Sequence, residues 1–545
     1  YEDTVQVKER KTTLPTVSED QNGSGEPAAQ FEYYDAAGKL VWTADERGRF
    51  THYEYSGVTG LVETAIADVD DGAGHALPEF DLPDWPVLPI DGLHQATDYE
   101  YDLLGRVTQV LGSAHNAVVD GEGADVRTAA WVRYLDDRRE VRSAGGYATL
   151  GEGGAITAWA LVHPVAIAKY DRDGRLAEDI EAAGGGGGAA IAGKKLEDFD
   201  TESFGPTSYT RRKTYAYNAA GQLTAVDVFT RLAFPVVFSR TEYGYDSLGR
   251  LNRTRTPGEV ITRTLFDARG LPTGVWVGSN DTGATDTDPD GSGSPNNMLL
   301  VTSYVYDGGN AGGDGNLTGL VRHVDANAAN DRTTAFGYDW RGRLHYTVLP
   351  ADDQGRVTYT LLAYDNLDRV TKTQHYHDDD DDVLLVGPEP YVSGAGAEDV
   401  LLAQSETFYD TLGQVFRNAA YAVENGIPGD MLAANFWHDA AGNLVKSLPG
   451  GTQQFTKLKY DGLGRLVAAY VGYDVDEPIG ATGSLAQALD VAGDTIFLQT
   501  DYAYNAANEV VFVTGRERLP RAEGEGPLTG DNARTSYLGY WYDAV

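Results

Sequence analysis

Tyr338-Asp339-Trp340-Arg341-Gly342-Arg343-Leu344-His345-Tyr346-Thr347-Val348 spells out a strand end, a turn and a strand start in one short run. Asp339 opens the turn, because its carboxylate can accept a hydrogen bond from backbone two residues on. Gly342 supplies positive φ without a Cβ clash. Together they predict a hairpin loop of the three-to-five-residue kind. Beyond the glycine the residues alternate with period two: Leu344, Tyr346 and Val348 are expected on one face, with Arg343, His345 and Thr347 on the other.

The same phrase recurs along the chain. Clear copies start at Tyr34, Tyr101, Tyr170, Tyr245, Tyr338 and Tyr460, and looser ones at Tyr217, Phe266, Tyr364, Tyr409, His438 and Tyr504. The closest copies are 21 residues apart, as from Tyr34 to Tyr55 and Tyr245 to Phe266. Self-similarity of this kind marks a repeat architecture with insertions between units. Upstream of each turn the aromatics also sit two apart, as in Tyr99/Tyr101, Tyr243/Tyr245 and Tyr502/Tyr504. Stacked on successive hairpins they predict aromatic ladders, each cross-strand pair worth roughly 0.2–1 kcal/mol. Tyr outnumbers Phe 33 to 16, which suits a packed face that stays wet at the phenol.

These residues resemble the Rhs/YD-repeat family, which includes bacterial Rhs polymorphic toxins, the B and C components of Tc toxins, and the YD shell of teneurins. The resemblance runs from about Phe31 to Asp543. It implies an all-β fold in which hairpins join edge to edge into one continuous sheet that spirals into a hollow β-shell. It also implies either a shell around a C-terminal toxin or an extracellular adhesion scaffold. Shells of the toxin branch end in a self-cleaving core finishing Asp-Pro-x-Gly-Leu. The one local likeness, Asp288-Pro289-Asp290-Gly291-Ser292, has Ser for Leu, sits mid-chain and is followed by more repeats. Neither the cleaving site nor a toxin domain is assignable, so a payload is expected beyond Val545 if there is one.

A repeat array is one continuous object whose units touch only neighbours. One domain is therefore expected, with residues 1–30 as an N-terminal extension or first strands and 31–545 as the array. The chain starts without Met and stops at Tyr542-Asp543-Ala544-Val545, as if a repeat were cut, so a piece of a longer protein is expected. With 82 acidic against 43 basic residues the net charge is −39, which argues against nucleic acid as a partner. Cysteine is absent, excluding disulfides and thiol chemistry. No apolar run reaches the length of a membrane-spanning helix. Secretion or display at the cell surface is the expected location.

Composition marks the insertions. Residues 68–92 are acidic and carry Pro78, Pro83, Pro86 and Pro89 with Trp85, an extended loop expected to pack on the sheet. Gly184 to Gly188 reads as a loop tip, 278–297 and 308–316 as Asp/Gly/Asn-rich loops, and Asp378 to Asp382 as a charge run. Ser484 caps a short helical stretch.

Catalytic signatures are missing: there is no G-x-S-x-G, no P-loop and no H-E-x-x-H. Asp286, Asp288 and Asp290 before Gly291 have the spacing that converges oxygens on calcium, set against the plain reading of a solvated acidic loop. Asn297 stands where a calcium loop places its bidentate Glu. Asp68, Asp70 and Asp71 are a weaker version, and His375 and His377 with Asp378 could face a transition metal from one side of a strand. No other cofactor is expected. The expectation is a non-catalytic shell segment enclosing a C-terminal toxin, with an adhesion scaffold binding glycans or proteins as the alternative and a glycan-acting enzyme third. Partners would be the rest of its own chain or, through open sheet edges, other copies.

Overall fold

A computed structural model describes residues 6–70, 72, 77–183, 190–232, 235–291, 295–310, 312–378, 399–473 and 483–543. The Gly184–Gly188 run, Asp71 and the acidic run beyond Asp378 lie outside them. Among the described residues thirty-four strands form a single antiparallel sheet, and one α-helix, Leu485–Leu489, is capped reciprocally by Ser484 and Gln487. The first strand, Glu9–Thr13, pairs with Ala29–Tyr34, so the sheet begins before the first copy of the motif.

Each motif turn is built as its residues dictate. In the Tyr338 copy, Gly342 N donates to Asp339 O at 2.9 Å, and Asp339 N to Arg343 O at 2.9 Å. Asp339 Oδ1 accepts from the backbone N–H groups of Arg341 and Arg343, at 2.9 and 3.0 Å. Gly342 has φ 77°, and Asp368 and Asn508, which replace the glycine in two copies, have φ 64° and 66°. A strand ends on the aromatic and the next starts just after the glycine, as in Arg332–Tyr338 followed by Leu344–Val348.

The arginine after the glycine is tied into the turn: Arg343 is 19% exposed and pairs first with its own turn. Its Nε donates to Asp339 Oδ2 at 2.7 Å, and its Nη1 to Asp365 O and Asp368 Oδ1 of the next turn, at 2.9 and 2.8 Å. The guanidinium lies 4.6 Å from the centre of the Tyr364 ring, whose hydroxyl donates to Leu344 O at 2.6 Å. Arg106, Arg250, Arg369 and Arg465 meet the next aromatic in the same way. Successive repeats are thus joined by a guanidinium and a phenol hydroxyl between one turn and the next, where a plain tyrosine ladder was expected.

A second correction concerns the faces. Tyr338 pairs with Leu344 but Gly337 pairs with Tyr346, so the ladder skips a residue. The same shift follows the aromatic at Tyr34, Tyr101, Tyr245, Tyr364 and Tyr460. Such a bulge bends the strand and strengthens the right-handed twist. Repeated hairpin after hairpin, it gives the sheet its curl. It also puts Leu344 on the opposite face from Tyr346 and Val348. The Tyr346 ring then lies over Gly337, where an added Cβ would come within 1.9 Å of it.

The face carrying Tyr346, Val348 and their equivalents is the more buried one, and insertions serve as its second layer. Leu77, Phe80, Trp85 and Leu88 of the 68–92 loop pack on Phe31, Trp42 and Phe50. Leu196, Phe199 and Phe204 cover Trp131, Leu161 and Ile180. The Leu485–Leu489 helix and Leu528 cover Trp437, Phe455 and Tyr470. Burying apolar area at about 25 cal/mol per Å² favours these covers over an open sheet.

The sheet then meets itself. All motif turns lie along one rim, because strands alternate in direction and each motif ends a strand running the same way. The connections between motifs lie along the other rim. Asn22, in the loop before the second strand, donates to Phe416 O at 3.1 Å and Phe436 O at 2.9 Å, residues 394 and 414 positions away. Thr411 Oγ1 donates to Thr16 O at 2.7 Å, and Arg47 to Asp461 O and Gly462 O at 3.2 and 2.9 Å. Val118 N donates to Tyr542 O at 3.0 Å. These contacts advance in step along both segments, so one winding of the spiral takes about four hundred residues. The connecting rim of the first winding sits on the motif rim of the second.

Candidate functional site at the seam between windings

Two neighbouring cavities lie along this seam. One, of about 280 Å³, is lined by Pro15, Val17, Asn22, Leu412, His438 and Leu485 among others. The other, of about 490 Å³, is lined by Arg47, Arg49, Lys457, Tyr460, Asp461 and Asp490 among others. His438 takes the place of a motif tyrosine here, and burial pulls its pKa below the ordinary histidine value, against the weaker upward pull of Asp410 and Asp439. It is therefore neutral at neutral pH.

Arg49 and Lys457 at the second cavity are already committed. Arg49 Nη1 lies 3.4 Å from Asp68 and 3.2 Å from Asp91. Lys457, 2% exposed, donates to Gln487 O, Asp490 O and Asp494 Oδ2 at 2.8, 2.6 and 2.6 Å. A buried ammonium with three oxygen partners ties the helical cover to the sheet beneath it. Lys446, buried beside it, stands 4.9 Å from the Trp437 ring centre and 5.2 Å from that of Phe455. The seam is built to hold two windings together.

Of the residues singled out for metal binding, those whose side chains the structure describes have other partners. Asp286 Oδ2 accepts from Ser247 N at 3.0 Å and its Oδ1 from Asn252 Nδ2 at 2.9 Å, tying the loop across the sheet to another motif turn. Asp288 accepts from Gly291 N at 3.3 Å, and its neighbouring carboxylate raises the Asp290 pKa. Asn297 Oδ1 accepts from Ser279 N and Asn280 N. Asp68 Oδ2 accepts from Leu93 N, and Asp70 Oδ1 from Gly72 N. His375 and His377 share one side of strand Val370–Asp378, and His375 Nδ1 is 2.9 Å from Thr360 Oγ1. Among the described residues no three His, Asp or Glu side chains are grouped to hold a metal ion.

One arrangement escaped the sequence. Ser303 Oγ lies 2.8 Å from His323 Nε2, and His323 Nδ1 lies 2.9 Å from Asp331 Oδ2. The order is that of a serine nucleophile, its base and an orienting carboxylate. Ser303 sits inside strand Leu299–Tyr306, paired on one side with Gly274 and on the other with Val321. Its neighbouring backbone N–H groups serve the sheet and do not converge as an oxyanion site requires. The three side chains pin the 323–331 connection to the strand. No local motif in the sequence announces them.

Fold and seam together define the chain as a spiralling antiparallel array of hairpins joined at Tyr-Asp turns. No family model matches the chain, and no curated protein does. Among solved structures it is similar to TcdB2-TccC3-TEV at 12% identity, with 98% of this chain and 26% of that chain covered and a TM-score of 0.29. It is similar to TcdB2-TccC3-Cdc42 at 13%, covering 95% and 27%, with a TM-score of 0.29. It is also similar to the Photorhabdus luminescens Tc holotoxin pore carrying TccC3-D651A, at 11%, covering 94% and 34%, with a TM-score of 0.21. The chain spans about a quarter to a third of the length of those chains.

Proposed function

We propose that this chain is a wall: a non-catalytic segment of a hollow YD-repeat shell, secreted or displayed at the cell surface, that encloses a polypeptide payload. The observation that carries the reading is the seam. A single sheet that returns on itself after about four hundred residues, rim to rim, surrounds a space. The insertions thicken that wall where it would otherwise be one layer deep. This reading requires no bound ion or cofactor. An adhesion scaffold would use the same wall with its outer surface as the working part.

Imaging the purified chain by electron cryo-microscopy tests the reading. A curved wall around a lumen is expected, and a compact solid particle would overturn it. In parallel, ester, peptide and glycan hydrolysis is expected to stay at background. Turnover that disappears in Ser303→Ala while the melting temperature holds would move the protein to the hydrolases.

A further inference from the structure

The motif turn carries leucine at its second variable position in Leu104, Leu248, Leu367, Leu412 and Leu463. Leu412 and Leu463 are half-buried, for the first winding lies against their turns. Leu104, Leu248 and Leu367 are 74%, 71% and 71% exposed, and Leu103 and Trp340 beside them on the same rim are 106% and 87% exposed. One turn chemistry therefore has two fates, set by whether a winding covers it.

The opposite rim shows the matching pattern. Where it is engaged, it meets the leucine turns with Pro15 and Val17. Where it is free, it presents Val236, Val237, Val324 and Ile427, 48%, 48%, 61% and 68% exposed. Singly exposed apolar residues are ordinary on a surface, and what sets these apart is that they repeat, on free rims, the residues that meet at the seam.

We infer that the free motif rim of the first winding docks the free connecting rim of a second copy of this chain, repeating between molecules the contact that the seam makes within one. The inference rests on the shell reading and extends it. Its occupant is specified by continuity with the seam, in which a motif rim takes a connecting rim of this same sheet. Two different surfaces meet, so the contact is heterologous and each molecule keeps one rim open for the next.

Sedimentation velocity on three forms of the chain decides it. The unaltered chain is expected to sediment faster as its concentration rises. Leu104→Glu/Leu248→Glu/Leu367→Glu, which blocks one rim, and Val324→Glu/Ile427→Glu, which blocks the other, are expected to be monomers with unchanged melting temperatures. Mixed together, the two variants are expected to form dimers and nothing larger, because each keeps one intact rim. An unaltered chain that stays monomeric throughout, as when the rim belongs to a different protein or to another part of its own chain, overturns the inference. So do variants that assemble like the unaltered chain, or that fail to combine. A hollow monomer on the microscope grid leaves the wall reading intact and sinks only this one; a solid particle sinks both.

Discussion

Gly342 and Gly337 lie five residues apart and are glycine for different reasons. At Gly342 the backbone has φ 77° and open space around it, so alanine meets only left-handed strain. At Gly337 the obstacle is the Tyr346 ring, 1.9 Å from where a Cβ would stand. Gly342→Ala is expected to cost about 1 kcal/mol or more. Gly337→Ala is expected to cost about 1–3 kcal/mol through overpacking. Thermal melts of both variants in a Tyr346→Val background separate the causes. The Gly337→Ala loss should shrink there while the Gly342→Ala loss persists, and equal losses in both backgrounds would refute the assignment.

On the scale of elements, the insertion between strands Pro272–Gly278 and Leu299–Tyr306 is held at its root by Asp281. Asp281 accepts from Arg253 Nε at 2.6 Å and Arg263 Nε at 2.8 Å. Burial pushes its carboxyl pKa up, but hydrogen bonds from the two guanidiniums outweigh this and hold it down to about 2. A depressed carboxyl stabilises the fold above its unfolded pKa of about 3.9, and the contribution fades as pH falls toward the folded value. Asp281→Asn is therefore expected to cost on the order of 2 kcal/mol at neutral pH. The gap in melting temperature between the two proteins should close between about pH 4 and pH 2. A gap constant over that range would show that charge is not the cause.

Turns and strand ends were legible because they are local: an Asp, a Gly and an alternating run specify them within ten residues, and a Pro-rich loop holding Trp85 announces its apolar contact. The bulge was not legible, since it is a slip in backbone pairing that no side chain spells. The partners of Asp286, the three-residue chain from Ser303 to Asp331 and the seam were hidden for another reason. Each joins residues that carry no pattern of their own across 8 to 424 positions.

Across the whole molecule, closure depends on few groups. Asn22 is 2% exposed, has φ 63°, and its one amide group serves two carbonyls of the other winding. Asn22→Gly keeps the backbone conformation and removes both bonds. Leaving buried carbonyls without donors is expected to cost about 1–3 kcal/mol. Amides of residues 410–440 should then exchange faster with deuterium while those of residues 332–364 do not change. Faster exchange everywhere would mean that Asn22 supports the array as a whole and not its closure.

Rim-to-rim closure also gives the chain a spatial reading frame. Lengthening any loop between Arg47 and Asp461 leaves the number of hairpins in the winding unchanged, so Arg47 still arrives at the same turn. Adding or deleting one hairpin shifts every later turn by a full step, and Arg47 would face the wrong neighbour. Such an array can gain loops of any length at little cost, but it gains or loses hairpins in the first winding only if the seam can be rewritten along its whole length at once.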